Sequence, residues 1–218
     1  MLALLHTSPV HVPVFDAVRD EDQQGLELRH FVDEELLARA RREGTEAVAG
    51  AVRDVLDEAV AEGARAVLCT CSTIGGVVET AGARVGVPVV RADRPMAVAA
   101  VAAGPRVVVA ATPASTLEPT VALVEEEGRR IGRPLGIRTL FVEGAWARFE
   151  AGDTEGCARL VADAVDAVTG ADAIVLAQGS MAPARQLTTT VIPVLSSPRP
   201  GLAAGARAAR AGWAHPGE

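Results

Sequence analysis

The chain is expected to be an α/β protein with two pseudo-symmetric lobes. Each lobe is a mostly parallel four-stranded sheet flanked by helices, and the active site lies in the cleft between them. Three observations predict this. Short apolar runs alternate with amphipathic helical stretches along all 218 residues. Four strand candidates in the first half are followed by four in the second. Short sequence matches recur between the halves in the same order.

In the first half the strand candidates are 2–7 (LALLHT), 26–32 (LELRHFV), 65–70 (RAVLCT) and 87–92 (VPVVRA). In the second they are 106–111 (RVVVAA), 137–143 (IRTLFVE), 172–177 (DAIVLA) and 191–196 (VIPVLS). Helical patterns fill 34–62, 116–131 and 145–169, with Gly63, Gly132 and Gly170 placed as stop signals.

The internal repeat aligns 87–95 (VPVVRADRP) with 192–200 (IPVLSSPRP), pairing Pro88 with Pro193, Arg94 with Arg199 and Pro95 with Pro200. It also pairs Thr7 with Thr112, and 64–71 (ARAVLCTC) with 171–178 (ADAIVLAQ). The expected first lobe is therefore 1–95 plus 200–218, and the second 96–199. Helix 200–212 of one copy answers helix 95–103 of the other.

Composition narrows the function. A net charge of −7 argues against a phosphate-backbone partner, and 3% aromatics against base stacking, so no nucleic acid is expected. The longest apolar stretch is broken by Gly104, Pro105 and Arg106 and is too interrupted to span a bilayer, so no membrane partner is expected. The start, MLALLHTSP, lacks the basic flank of a signal peptide, which makes the cytoplasm the expected location. No lysine occurs, which excludes a pyridoxal phosphate Schiff base and a Walker-type phosphate loop. No GxGxxG follows a strand candidate, and the histidines His6, His11, His30 and His215 show no metal-ligand spacing with carboxylates in register. Neither cofactor nor metal is expected.

Ligands of open parallel sheets bind beyond the carboxyl ends of the strands. Two such lobes facing each other would set Cys71 opposite Gln178. Cys71 lies where a strand stops and a helix begins, with Ser72 or Thr73 as the natural N-cap; unpaired N–H groups there favour thiolate. Cys69 and Cys157 read as core packing. Thr7, Ser8, Ser72, Thr73, Thr112, Ser115, Thr116, Gly179 and Ser180 surround these strand ends, and such hydroxyls with helix-start N–H groups can cradle a carboxylate. His6 reads as a satisfied strand histidine, and Asp33 as a helix N-cap. The tail WAHPGE reads as a frayed end.

The motif TCSTIGG at 70–76 resembles the first active-site motif of the aspartate/glutamate racemase superfamily, and VLAQGSMA at 175–182 resembles the second motif of its hydantoin-racemase-like members. The resemblance spans essentially the whole chain. It implies a cofactor-independent isomerase or racemase acting on a small carboxylate-bearing substrate, an amino acid or derivative. Cys71 carries the acid–base thiol. Gln178 stands where such members have a second cysteine, and an amide exchanges no proton as a base at neutral pH. The catalytic pair is thus Cys71 and Gln178, with one thiol instead of two. Alternatives are a one-cysteine lyase or decarboxylase of the same superfamily, or a catalytically silent carboxylate-binding protein. Relatives often pair as dimers, so a homodimer is one expectation for the assembly.

Overall fold

The structure is a computed structural model, and it describes residues 1–211. The tail reading, His215 and the end of the expected first lobe lie outside the described residues. The chain divides into two compact units: Met1–Ala92 with the returning segment from Pro198, and Asp93–Ser197.

The first unit carries a four-stranded sheet of β1 (Leu2–His6), β2 (Leu28–Val32), β3 (Ala66–Cys69) and β4 (Val89–Arg91), in the order β2-β1-β3-β4. Every pairing is parallel, with Leu5 beside Cys69 and Cys69 beside Arg91. Its helices are α1 (Val12–Asp22), α2 (Glu34–Glu43), α3 (Ala49–Ala61) and α4 (Gly75–Gly82), joined at the end of the chain by α9 (Pro198–Ala211). The period of two along the central strands divides their side chains between two cores. Ala3, Leu5, Val67 and Cys69 pack toward α2, α3 and α4, whereas Leu2, Leu4, Ala66 and Leu68 pack toward Phe15 of α1 and Leu202 of α9. Cys69 is core filling, as its strand position predicts.

The second unit repeats this plan. Its strands β5 (Arg106–Ala111), β6 (Gly136–Phe141), β7 (Ala173–Leu176) and β8 (Val194–Leu195) run in the order β6-β5-β7-β8, again all parallel. Helices α5 (Arg94–Ala103) and α6 (Leu117–Arg130) cover one face, over Val107, Val109 and Val175. Helices α7 (Ala145–Glu150) and α8 (Thr154–Asp166) cover the other, where Cys157 packs with Ile174 and Leu176.

Two helical stretches differ from the sequence expectation. The pattern over 34–62 is interrupted at Gly44, whose φ of 90° ends α2 before a short 3₁₀ turn (Thr45–Val48) leads into α3. The pattern over 145–169 is interrupted at Gly152, φ 82°, between α7 and α8. In each case a left-handed backbone, open to glycine, turns one amphipathic run into two helices. Asp33 caps α2 as expected, its carboxylate accepting from the Glu35 and Leu36 amides.

Candidate active site

In each unit the crossovers leave the two central strands in opposite directions, β1 against β3 and β5 against β7. Each such pair is a topological switch point, where the chain opens a crevice at the strands' carboxyl ends. Every site residue expected from the sequence sits at one of these two ends.

In the first unit Thr7 and Ser8 follow β1, and Cys71, Ser72 and Thr73 follow β3. Thr7 is buried; Ser8, Cys71, Ser72 and Thr73 are half-buried. The cap of α4 corrects the expectation. Its N-cap is Ile74, without a side-chain cap bond, so neither Ser72 nor Thr73 caps the helix, and Cys71 lies four residues before the first helical residue. Arg91, the last residue of β4, packs its guanidinium into the space beside Gly75. A Cβ at Gly75 would fall 2.5 Å from Arg91 Nε. Arg91 also donates to the Ser72 carbonyl at 3.4 Å and stands 4.0 Å from Glu79. A buried cation thus fixes the Cys71–Gly75 turn from below, a residue the sequence reading passed over. The signal was a charged side chain ending an otherwise apolar strand.

The other side of that turn rests on His6. Its Nδ1 lies 2.9 Å from the Thr70 hydroxyl, and its Nε2 lies 2.8 Å from His30 Nδ1. His6 is the satisfied strand histidine its position suggests. Cys71 itself packs against the core that contains Cys69, whose thiol donates to the Cys71 carbonyl at 3.4 Å. Cys157 lies in the core of the second unit, where burial, with Asp153 near, pushes its thiol pKa up.

In the second unit Thr112 follows β5, and Ser115 and Thr116 lie in the 3₁₀ turn Ala114–Thr116. Gln178 follows β7, and Gly179 and Ser180 open the 3₁₀ helix Gly179–Gln186. Gln178 is nearly fully buried. Its Oε1 accepts from the Thr112 amide at 3.2 Å and from the Thr112 hydroxyl at 3.3 Å, and its Nε2 donates to Thr116 Oγ1. Thr116 in turn donates to the Pro113 carbonyl at 2.9 Å. The amide therefore ties its own strand end together and saturates the buried Thr112 N–H.

Among the described residues, no group of three or more His, Cys, Asp or Glu side chains could hold a metal ion, and no helix is long and apolar enough to cross a membrane.

No curated protein matches the sequence. Solved structures of the same fold do. A glutamate racemase isoform from Bacillus anthracis superposes with a TM-score of 0.72 at 14% identity, over 95% of this chain and 80% of that one. Picrophilus torridus aspartate racemase gives 0.68 at 15% identity, over 96% and 94%. A Gly-to-Cys mutant of arylmalonate decarboxylase, in its sulfate-associated form, gives 0.64 at 23% identity, over 99% and 96%. The family model described as Asp/Glu/hydantoin racemase matches residues 13–205. That match includes Cys71 and Gln178 and begins after Thr7 and Ser8, and the chain belongs to the Asp/Glu/hydantoin racemase family.

Proposed function

We propose that the protein is a cofactor-independent isomerase of a small carboxylate-bearing substrate, working through the single thiol of Cys71. One observation carries the reading: among the described residues Cys71, two positions past the end of β3, is the thiol that is not buried, while Gln178 holds its amide on Thr112 and Thr116. A carbon next to a carboxylate can accept a negative charge that spreads onto the carboxylate oxygens. Thr7, Ser8, Ser72 and Thr73, at the strand ends of the same unit as Cys71, are the hydroxyl and amide groups assigned to that charge.

A lone thiol restricts which isomerization is open. Inverting a stereocentre requires a proton to leave one face and another to arrive on the opposite face, and Gln178 supplies no proton carrier. Addition–elimination needs one sulfur only. The thiolate adds to an unsaturated acid, and the π electrons move to the carbon beside the carboxylate. The former double bond rotates, and the C–S bond breaks to release the other isomer. A reactive free thiol also fits a reducing compartment such as the cytoplasm.

The same amide favours a second reading, decarboxylation. A malonate-type acid would lose carbon dioxide to leave an enediolate, Cys71 would protonate it on one face, and water would restore the thiol. The fold shared with arylmalonate decarboxylase supports keeping this reading. The test is a panel of small amino, hydroxy, unsaturated and malonic acids incubated in deuterium oxide. Interconverted isomers support the first reading, and released carbon dioxide with one deuteron in the product supports the second. Full activity in Cys71→Ala would overturn both.

A further inference from the structure

A run of polar side chains crosses the first unit from α1 to the strand end that carries Cys71. Asp16 Oδ1 lies 3.4 Å from His30 Nε2, His30 Nδ1 lies 2.8 Å from His6 Nε2, and His6 Nδ1 lies 2.9 Å from Thr70 Oγ1. The Thr70 hydroxyl is also 3.1 Å from the Leu5 carbonyl. His6 is fully buried, with Phe15 edge-on at 5.7 Å. Burial, with His30 and His11 beside it, holds the His6 pKa down at about 3, so its ring stays neutral across working pH.

A neutral imidazole has one N–H and one acceptor nitrogen, and a threonine hydroxyl has one proton to give. With Asp16 accepting as a carboxylate, only two proton arrangements then satisfy the whole chain. In the first, Thr70 donates to His6 Nδ1, His6 Nε2–H donates to His30 Nδ1, and His30 Nε2–H donates to Asp16. In the second, His30 holds protons on both nitrogens and donates to both His6 Nε2 and Asp16. His6 Nδ1–H then donates to Thr70, whose hydroxyl turns to the Leu5 carbonyl. His6 is neutral in both, but its proton sits on opposite nitrogens.

We propose that His6 is a tautomeric relay, a positioning residue that converts protonation of His30 beside Asp16 into a reversed hydrogen bond at Thr70, the residue preceding Cys71. The two arrangements differ by one proton, drawn from water. The lone pair of His30 that must receive it faces His6, so the proton travels through the chain. Half-buried Thr70 takes it up as its own proton passes to His6 Nδ1, and His6 passes Nε2–H to His30. The charge comes to rest on His30 against the Asp16 carboxylate.

The groups facing this path fix where that charge is stable. Asp16 faces His30 from α1, and His11 acts on His6. His30 also lines a groove of about 390 Å³ with Arg29, Asp33, Glu58 and Glu62, three acids to one cation. The acids stand on the His30 side, and burial excludes an imidazolium at the His6 end.

The decisive experiment is ¹⁵N NMR of the full-length protein labelled at histidine, titrated from about pH 8 to about pH 5. His6→Gln and His30→Gln spectra supply the assignments. The expected result is that the two His6 nitrogens exchange protonated and lone-pair shifts in step with His30, with no doubly protonated His6. A His6 that keeps one tautomer while His30 titrates overturns the relay.

A second arm rests on the reading of Cys71 as the reactive thiol. The rate of Cys71 alkylation by iodoacetamide should carry an inflection at the His30 midpoint, of about fivefold, the factor one ordinary hydrogen bond is worth. His30→Gln, which keeps a hydrogen bond but cannot titrate, should lose it. An inflection that persists in His30→Gln also overturns the relay. If Cys71→Ala stays active while the His6 shifts still exchange, the proposed function fails and the relay stands.

Discussion

Gln178 Oε1 accepts both the backbone amide and the hydroxyl of Thr112, at 3.2 Å and 3.3 Å, binding the end of β7 to the end of β5. Thr112 is only 1% exposed, so water has no ready access to that N–H if the amide is removed. Gln178→Ala should therefore lower stability by about 1–3 kcal/mol, the penalty of an unsatisfied buried donor. Urea denaturation reads it directly, and an unchanged midpoint would mean the two bonds are not held in solution.

Cys71 is half-buried, whereas Cys69 and Cys157 are buried in the cores of their own units. Iodoacetamide at neutral pH should label Cys71 first, and the other two only on unfolding. Cys71→Ala should reduce turnover by about 10²–10⁴ where the thiol serves as an acid, and by about 10⁶ where it is the nucleophile, with little change in stability. Peptide mass spectrometry after timed alkylation checks the first claim. Equal labelling of Cys71 and Cys157 would count against every enzymatic reading.

Helix α9 returns to the first unit through a close approach at Gly201. A Cβ there would meet the Ala92 carbonyl oxygen at 2.5 Å and its Cα at 2.7 Å, both backbone atoms that cannot swing aside. Gly201→Ala should cost about 1–3 kcal/mol through overpacking. Gly50, within α3, has nothing within 4 Å of such a Cβ, so Gly50→Ala should stabilise by about 0.4–1 kcal/mol. Opposite shifts in thermal midpoint are expected, and shifts of the same sign would contradict the packing of α9.

His6 links acid to stability. Its folded pKa is depressed to about 3 from 6.5, chiefly by burial, so between those values the unfolded chain binds more protons than the folded one. Stability should rise with pH across that window and be lost as pH falls through it, by at most about 1.4 kcal/mol per pH unit for this one group. His6→Gln removes the titration, so its stability should depend less steeply on pH between about 6 and 4 than that of the parent. Parallel slopes in denaturant unfolding at several pH values would show that His6 is not the group responsible.

The central strands β1, β3, β5 and β7 were legible because buried parallel strands need apolar runs, whereas the edge strands β2 and β6, mixed in character and partly exposed, were read from their place in the alternation of strand and helix. The candidate site was legible for the same reason: Cys71 and Gln178 each stand just past such a run, where an open sheet places its ligand. Asp33 could be read as a cap because the interaction is local, spanning three residues. The breaks at Gly44 and Gly152 were hidden, since the amphipathic pattern continues across both and only the backbone angle reveals the turn.

The sequence alone determined which residues reach the strand ends, because a side-chain period of two and the order of elements are properties of the chain itself. What those residues touch depended on contacts between distant segments. Thr112 and Gln178 are 66 residues apart, Thr70 and His6 are 64 apart, and Ser72 and Arg91 are 19 apart. Hydrogen bonds are directional over about 3 Å, and no pattern of residue types encodes that geometry. Only the folded backbone decided that Gln178 closes on its own strand end, that Arg91 reaches the Ser72 carbonyl, and that His6 stands between Thr70 and His30.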